Sequence, residues 1–527
     1  MYSAEPLPRF VDEYLAYLYE VHPTTATFDG VHVHDDLLED FGRQAIDAQV
    51  RALGGFARRL AAIDPQRLTE VERLERPALD ASIRARLFEL EEVRTWERSL
   101  QCYSEVLATS LAGQALFEYA PLAERARRVL SKLRQTPRLM QAARDNIKDP
   151  PGIFLKVGLE SLRGTLRFIN DDLPRAFADV DDLHLLGDLA DAVTEASTAV
   201  TGCIEHFETQ VAPRARGSFR LGRERFLQKF QLEEGLTGQV DHLLEIAMRE
   251  LRATQDEFRR TASRVNGGDP VAAWQKAKAQ HPPAGQLVST AQQQLAELEA
   301  FITREGIITI PDGAPVAVAP TPRFYRWTSA SMWTPGPFEA KPLRAIYYIT
   351  DVDPAWPADR QDEHLRDFSY GALWAISIHE VFPGHFLHYQ HLRQIDSKLR
   401  KSILFSSSAF VEGWAHYCEQ MMVDEGFRRS DPQMRLGQLA EALIRLCRTV
   451  AGIRLHCEDM SVEGAVRLFR DEAFLEEASA RREAERGTFD PGSVVSTFKT
   501  WSLARVSIAF FVFRIGRGQL MPFASSV

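Results

Sequence analysis

Apolar residues recur every three or four positions, with charged residues between them, along six long stretches: 10–19, 44–63, 70–97, 122–146, 180–207 and 240–265. A helix turning about 100° per residue gathers such positions onto one face. The stretches therefore predict an N-terminal half made of helices packed on helices, not a sheet built from alternating strands and helices. Charge runs such as Glu124-Arg125-Ala126-Arg127-Arg128 then fall on solvated faces. There is no convincing internal repeat and no low-complexity segment.

Between about residues 307 and 353 the pattern changes. Ile307-Ile308-Thr309-Ile310-Pro311 and Arg344-Ala345-Ile346-Tyr347-Tyr348-Ile349-Thr350 are β-branched and aromatic, with proline and glycine between them. These segments predict a small sheet just before the next helix.

That next helix carries the most informative residues of the chain. His379-Glu380-Val381-Phe382-Pro383-Gly384-His385 is followed, 27 residues after His385, by Glu412-Gly413-Trp414. Histidines four apart share a helix face, but six steps rotate by about 600° and leave His385 roughly 240° around from His379. One ion cannot touch both rings on an unbroken helix, so a shared ligand role requires a break. Pro383 and Gly384 supply it, because proline lacks an N–H and drives Phe382 out of the α region, while glycine accepts a sharp turn. Catalytic zinc takes three protein ligands and keeps a position for water, and two histidines with one glutamate are a known set. His379, His385 and Glu412 are the predicted ligands of one Zn²⁺, with Glu412 arriving on a separate helix. Glu380 is the predicted general base on the water. Glu419, two turns past Glu412 on nearly the same face, could accept the free N–H of a histidine ligand.

Several neighbours have two readings. Cys418 lies in the Glu412 helix and a thiol can ligate zinc, but a small buried apolar residue is the simpler reading. His388, His391 and His416 would have to converge with carboxylates to hold a second metal, and nothing in the sequence shows that. Arg448, Arg454 and His456 sit on a predicted helix that could approach the site. A cation there would stabilise an oxyanion, and salt bridges between helix faces are the competing role.

HEVFPGH with the later EGWAHYCE resembles the bacterial "domain of unknown function 885" family, whose members carry HExxPGH and EGWAxYxE and are grouped with thermolysin-like (gluzincin) metallopeptidases. The stretch from Pro23 to His32 is similar to that family's opening, as are Arg454-Leu455-His456 and Ser461-Val462-Glu463-Gly464-Ala465. The resemblance covers roughly residues 5 to 492. It implies His379, His385 and Glu412 as metal ligands and Glu380 as catalytic base. It also implies a mainly α, metallopeptidase-like fold with a small sheet before the metal helix. One large unit would hold a helical region (1–305) and a catalytic region (306–492). By analogy with thermolysin-like enzymes, Ser329-Ala330-Ser331-Met332-Trp333 or Arg344-Ala345-Ile346 would line the cleft as a strand that substrate joins, or form a purely structural hairpin.

The chain has 527 residues, 45% of them hydrophobic, enough for a large core. A net charge of −10 gives no electrostatic case for nucleic acid. Cys102, Cys203, Cys418, Cys447 and Cys457 are odd in number and scattered, which suits reduced thiols. With no basic and apolar leader pattern at Met1–Glu5, the expected compartment is the cytoplasm.

The C-terminus departs from the family pattern. Residues 493–527 hold four basic residues (Lys499, Arg505, Arg514, Arg517), no acidic residue and no tyrosine, so the first 492 residues sum to −14. The apolar run 506–513 is too short to span a membrane. This tail is expected to be atypical, a divergent or frameshifted replacement that costs the enzyme a tyrosine able to assist the oxyanion.

The expected function is a zinc-dependent hydrolase, foremost a peptidase, acting on a peptide or other small amide, with neither nucleic acid nor membrane as partner. The alternative is a metal-binding protein with impaired catalysis and a scaffold or peptide-binding role. Ester or non-peptide amide hydrolysis uses the same water chemistry.

Overall fold

In the computed structural model the described residues are 6–489, apart from 236–237, 267–268, 314, 323–324, 327 and 342. The expectation of an atypical tail over 493–527 lies outside them. The amphipathic stretches form helices Leu7–Val21, Arg43–Ala62, Leu122–Asn146, Leu183–His206 and Val240–Asn266. The stretch 70–97 is not one helix. It begins at a capping box between Thr69 and Glu72 and runs as Glu70–Phe88, then widens over Glu89–Val93 and breaks at Arg94, which is left-handed at φ 56°. The break buries Trp96, whose indole donates to the Leu90 carbonyl at 3.1 Å.

Helices Leu100–Leu116, Leu122–Asn146, Gly152–Arg167 and Leu183–His206 close around an apolar core that includes Leu107, Leu133, Leu162 and Val200. A three-stranded sheet caps this bundle: β1 (Val316–Pro320), β2 (Ala330–Trp333) and β3 (Ala345–Ile349), in the order β1-β3-β2. β1 runs parallel and β2 antiparallel to β3. Alternation sorts the two faces. Ala319, Trp333, Ile346 and Tyr348 pack into the bundle core, whereas Val318, Met332, Tyr347 and Ile349 pack against the helices that follow.

The protein is mainly α, and its small sheet falls within residues 307–353 as the pattern predicts, with one correction. Ile307-Ile308-Thr309-Ile310-Pro311 is not a strand; its isoleucines pack, half-buried, after Gly306 ends helix Leu287–Glu305. The partner of β3 is instead the small-residue segment Val316–Pro320.

The sheet's second face shares a core with Leu287–Glu305, with Tyr370–Glu380 and with Ser408–Asp424. Helix Pro432–Cys457 lies behind them and packs on Val240–Asn266, Val462–Ala473 and Glu477–Phe489. It meets Tyr370–Glu380 at a glycine pair. A Cβ on Gly371 would sit 2.2 Å from the Gln433 carbonyl oxygen, and one on Gly437 would sit 2.3 Å from the Gly371 carbonyl carbon. This contact lets the two backbones touch and sets Arg445, eight residues past Gly437, beside His379, eight residues past Gly371. Among the described residues no helix is long and apolar enough to cross a membrane.

Candidate metal centre

Helix Tyr370–Glu380 ends where the histidine spacing demands, and a new helix, His385–Leu392, starts at His385. The Phe382–Pro383 peptide is cis. Gly384 is obligatory in this turn, since a Cβ there would lie 1.7 Å from the His379 carbonyl oxygen. The turn is held from the next helix: Trp414 Nε1 donates to the Pro383 carbonyl at 3.0 Å, and the Cys418 thiol reaches the same oxygen at 3.6 Å. Cys418 is fully buried and its thiol pKa is raised by burial, so it serves as packing.

The break brings the two imidazoles to 4.7 Å between centroids, at 86° to each other. Glu412, on Ser408–Asp424, divides its carboxylate between them: Oε2 is 3.5 Å from His379 Nε2 and Oε1 is 3.6 Å from His385 Nε2. His379, His385 and Glu412 are the group of potential metal-binding residues found among the described residues, with donor atoms within 4.8 Å of one another. Zinc bonds of 2.0–2.1 Å in a tetrahedral arrangement set neighbouring donors about 3.4 Å apart. The two Glu412–histidine separations, 3.5 and 3.6 Å, are close to that spacing.

Charge is arranged to match. Burial alone would raise the Glu412 pKa, but His379 and His385 outweigh it and hold the carboxyl well below the usual range. Burial pushes His385 down to about 3, leaving a neutral ring. Burial and Arg445 disfavour the charged form of His379, yet Glu412 and Glu419 prevail and raise it to about 9. Two carboxylates thus draw a positive charge to the point between them.

Glu419 is fully buried and its Oε1 lies 2.8 Å from His379 Nδ1. With the Nδ1 proton held by Glu419, it is the Nε2 proton, shared with Glu412, that a metal ion would replace. Glu419 also receives His416 Nδ1 at 3.3 Å and Arg445 Nη2 at 3.1 Å. Arg445 lies 3.1 Å from His379 Nδ1 as well, but two donors face each other there, and the carboxylate is its acceptor. Arg445 Nη1 pairs with Glu441 at 2.9 Å. Sequence reasoning passed over Arg445 and Glu441. Their signal was an i,i+4 ion pair set among Ala440, Ala442, Leu443, Leu446 and Cys447, where an amphipathic helix would have no charge.

Glu380 differs from its neighbours. Its carboxylate has no hydrogen-bond donor among the described residues. Burial, with Glu412 adding to it and His379 opposing, raises its pKa to about 7.

The outer residues sort differently. Arg448 is committed to Glu483 through two bonds of 2.6 and 2.7 Å, the salt-bridge alternative. Arg454 lies 3.7 Å from Glu458. His456 is not at the centre: it lies eleven residues beyond Arg445 on the same helix, about 16 Å at 1.5 Å per residue. Its Nε2 bonds the Gly487 carbonyl at 2.9 Å and its Nδ1 receives Leu221 N at 3.4 Å, so it fastens the C-terminal helices. His391 bonds the Thr309 carbonyl, and His388 lies half-buried against Phe410.

No curated protein matches the chain. Solved structures do, two of them as follows. A "putative lipoprotein of unknown function" from Shewanella oneidensis superposes with a TM-score of 0.78 at 25% identity, covering 98% of this chain and 95% of that one. A "putative lipoprotein" from Colwellia psychrerythraea gives 0.77 at 15% identity, covering 95% and 93%, and shows the shared fold. The family signature of bacterial proteins of unknown function, DUF885, matches residues 23–498, and the chain belongs to that family.

Proposed function

We propose that the chain is a zinc-dependent hydrolase, foremost a peptidase, related to the gluzincins. The observation that carries this reading is the convergence of His379 Nε2, His385 Nε2 and Glu412 at 3.5–3.6 Å beside the uncommitted carboxylate of Glu380. A zinc ion bound by these three residues would supply Lewis acidity, lowering the pKa of a water and polarising a carbonyl. The chain's own residues do the rest. Glu380, with a pKa of about 7, is matched to accept the proton of the attacking water near neutrality and return it to the leaving group. Glu419 fixes the His379 tautomer, and Arg445 keeps Glu419 ionised.

A route for an extended substrate follows from the sheet. β3 is central and has no free side, so Arg344-Ala345-Ile346 cannot accept another strand. β2 is an edge. Thr350 N bonds the Ser329 carbonyl at 2.9 Å, and with Ala330 opposite Ile349 the ladder's parity turns the main-chain groups of Ala330 and Met332 outward. Both residues pack in the core that holds Ile378 and Val381, on either side of His379 and Glu380. A peptide backbone can add there by strand pairing, with a scissile carbonyl beside Glu380.

The five cysteines are unpaired, which supports a reducing compartment. The lipoprotein names of the solved relatives belong to those chains, and fractionation of the native host decides between a cytoplasmic and an envelope location.

The test of function is hydrolysis of a mixed peptide library by zinc-loaded protein, with and without chelator, beside Glu380→Gln. Chelation should abolish turnover, and Glu380→Gln should lower it by about 10²–10⁴-fold. Turnover indifferent to chelator, or full activity in Glu380→Gln, overturns the proposal.

A further inference from the structure

Away from the metal centre, a groove of about 640 Å³ opens between helix Val240–Asn266 and the turn that joins Ser408–Asp424 to Pro432–Cys457. Five arginines line it: Arg260, Arg264, Arg428, Arg429 and Arg435. In a chain of net charge −10 this is a local reversal of sign. Its acidic residues are fewer and mostly engaged. Glu257 is bound to Arg435 Nε at 3.1 Å, and Asp431 caps the start of Pro432–Cys457 through Gln433 N at 3.0 Å. Asp424 accepts from Gln420 at 2.7 Å.

The arginines divide into two sets. Arg435 and Arg428 are built into the frame, Arg435 donating to Gln420 and Gln438, and Arg428 bonding Glu297 at 3.0 Å while it lies over the Trp374 ring. Arg260, Arg264 and Arg429 have no side-chain hydrogen bond or ion pair among the described residues. Thr261, only 6% exposed, lines the groove, and its hydroxyl likewise has no partner among the described residues. Three arginines with uncommitted guanidinium groups and a recessed threonine thus line one cavity. Guanidinium groups recognise tetrahedral oxyanions through paired N–H donors.

We propose that this groove is a binding site for a compact phosphate-bearing anion. The volume suits a small multiply charged phosphate, within the range of small-molecule sites. No aromatic face is offered for stacking, since Phe427 lines the groove but is 4% exposed. The site is separate from the metal centre: Arg435 and Arg445 are ten residues apart on one helix, about 15 Å.

Calorimetric titration with inorganic pyrophosphate tests the proposal, with sedimentation on phosphatidylglycerol vesicles as a second arm because a lipid headgroup offers the same chemistry. Arg260→Gln/Arg264→Gln/Arg429→Gln changes only exposed, uncommitted side chains, so its thermal midpoint should match the parent. Pyrophosphate affinity should fall at least tenfold in that variant and should survive His385→Ala. Vesicle binding lost in the triple variant, without pyrophosphate binding, assigns the phosphate to a lipid. Absence of both, affinity unchanged in the triple variant, or affinity lost in His385→Ala overturns the proposal.

Discussion

Glu380 and Glu419 are both glutamates beside one histidine, yet their surroundings push them apart. Glu419 is enclosed by His379, His416 and Arg445, and although burial opposes its charge these partners hold it well below the ordinary carboxylate range. Glu380 has burial and a neighbouring carboxylate but no donor, and rises to about 7. One stays ionised as a support and the other can exchange a proton near neutrality. Glu419→Gln should therefore leave the peptide-bond chemistry formally intact but weaken zinc affinity by about 10–100-fold, because the amide no longer fixes the His379 ring as firmly. Competition against a calibrated zinc chelator measures it. An unchanged affinity would mean that the Glu419 contact at 2.8 Å is packing alone. Of these roles the sequence showed Glu419 through its two-turn spacing from Glu412. It could not show Arg445, whose place depends on the Gly371–Gly437 helix contact.

At the scale of elements, patterning was legible where a helix is long and one-sided, and less so where identity of the partner decides. Helix Leu122–Asn146 has the expected bounds, whereas Ile307 to Ile310 have strand-like residues but no strand beside them, and the weakly patterned Val316–Pro320 took that place. The segment after helix Pro23–Asp29 is another junction set by distant partners. His32 stacks on Tyr119 at 3.8 Å, its Nδ1 donates to Asp35 at 2.9 Å, and its Nε2 donates to Glu339, 307 positions away, at 3.1 Å. Burial disfavours the imidazolium, but the two carboxylates outweigh it and raise its pKa from 6.5 to about 9. A base whose pKa is raised by folding contributes stability that is whole below about pH 6.5 and lost as pH climbs through about 9. On the order of 2–3 kcal/mol should disappear across that window. Urea unfolding at pH 6 and pH 9.5 checks this against His32→Gln, which should lose less; equal losses in both proteins would remove His32 as the cause.

Across the whole molecule, the centre gathers an excess of carboxylates, Glu419 fully buried and the others half-buried. Glu380, Glu412, Glu419, Glu441 and Glu483 meet the arginines Arg445, Arg448 and Arg486, a formal balance of five against three, or −2, before any histidine takes a proton. Buried charge without compensation is costly, and proton uptake by His379 and Glu380 is one way to relieve it. A divalent cation between His379, His385 and Glu412 would bring the same two positive charges, in place of the proton that His379 shares with Glu412. Zinc should then stabilise the native chain by binding it in preference to the unfolded one. The gain follows RT ln(1 + [Zn²⁺]/Kd), about 2.7 kcal/mol at 100 times Kd and about 1.4 kcal/mol for each further tenfold. Unfolding midpoints measured across buffered zinc concentrations should rise along that curve for the parent and stay flat for His385→Ala/Glu412→Gln. The double variant also removes one carboxylate from the excess, so its zinc-free form should unfold no earlier than the chelated parent by more than the loss of packing around His385. A zinc-dependent rise that persists undiminished in the double variant would place the stabilising metal elsewhere in the chain and would separate the charge excess from metal binding.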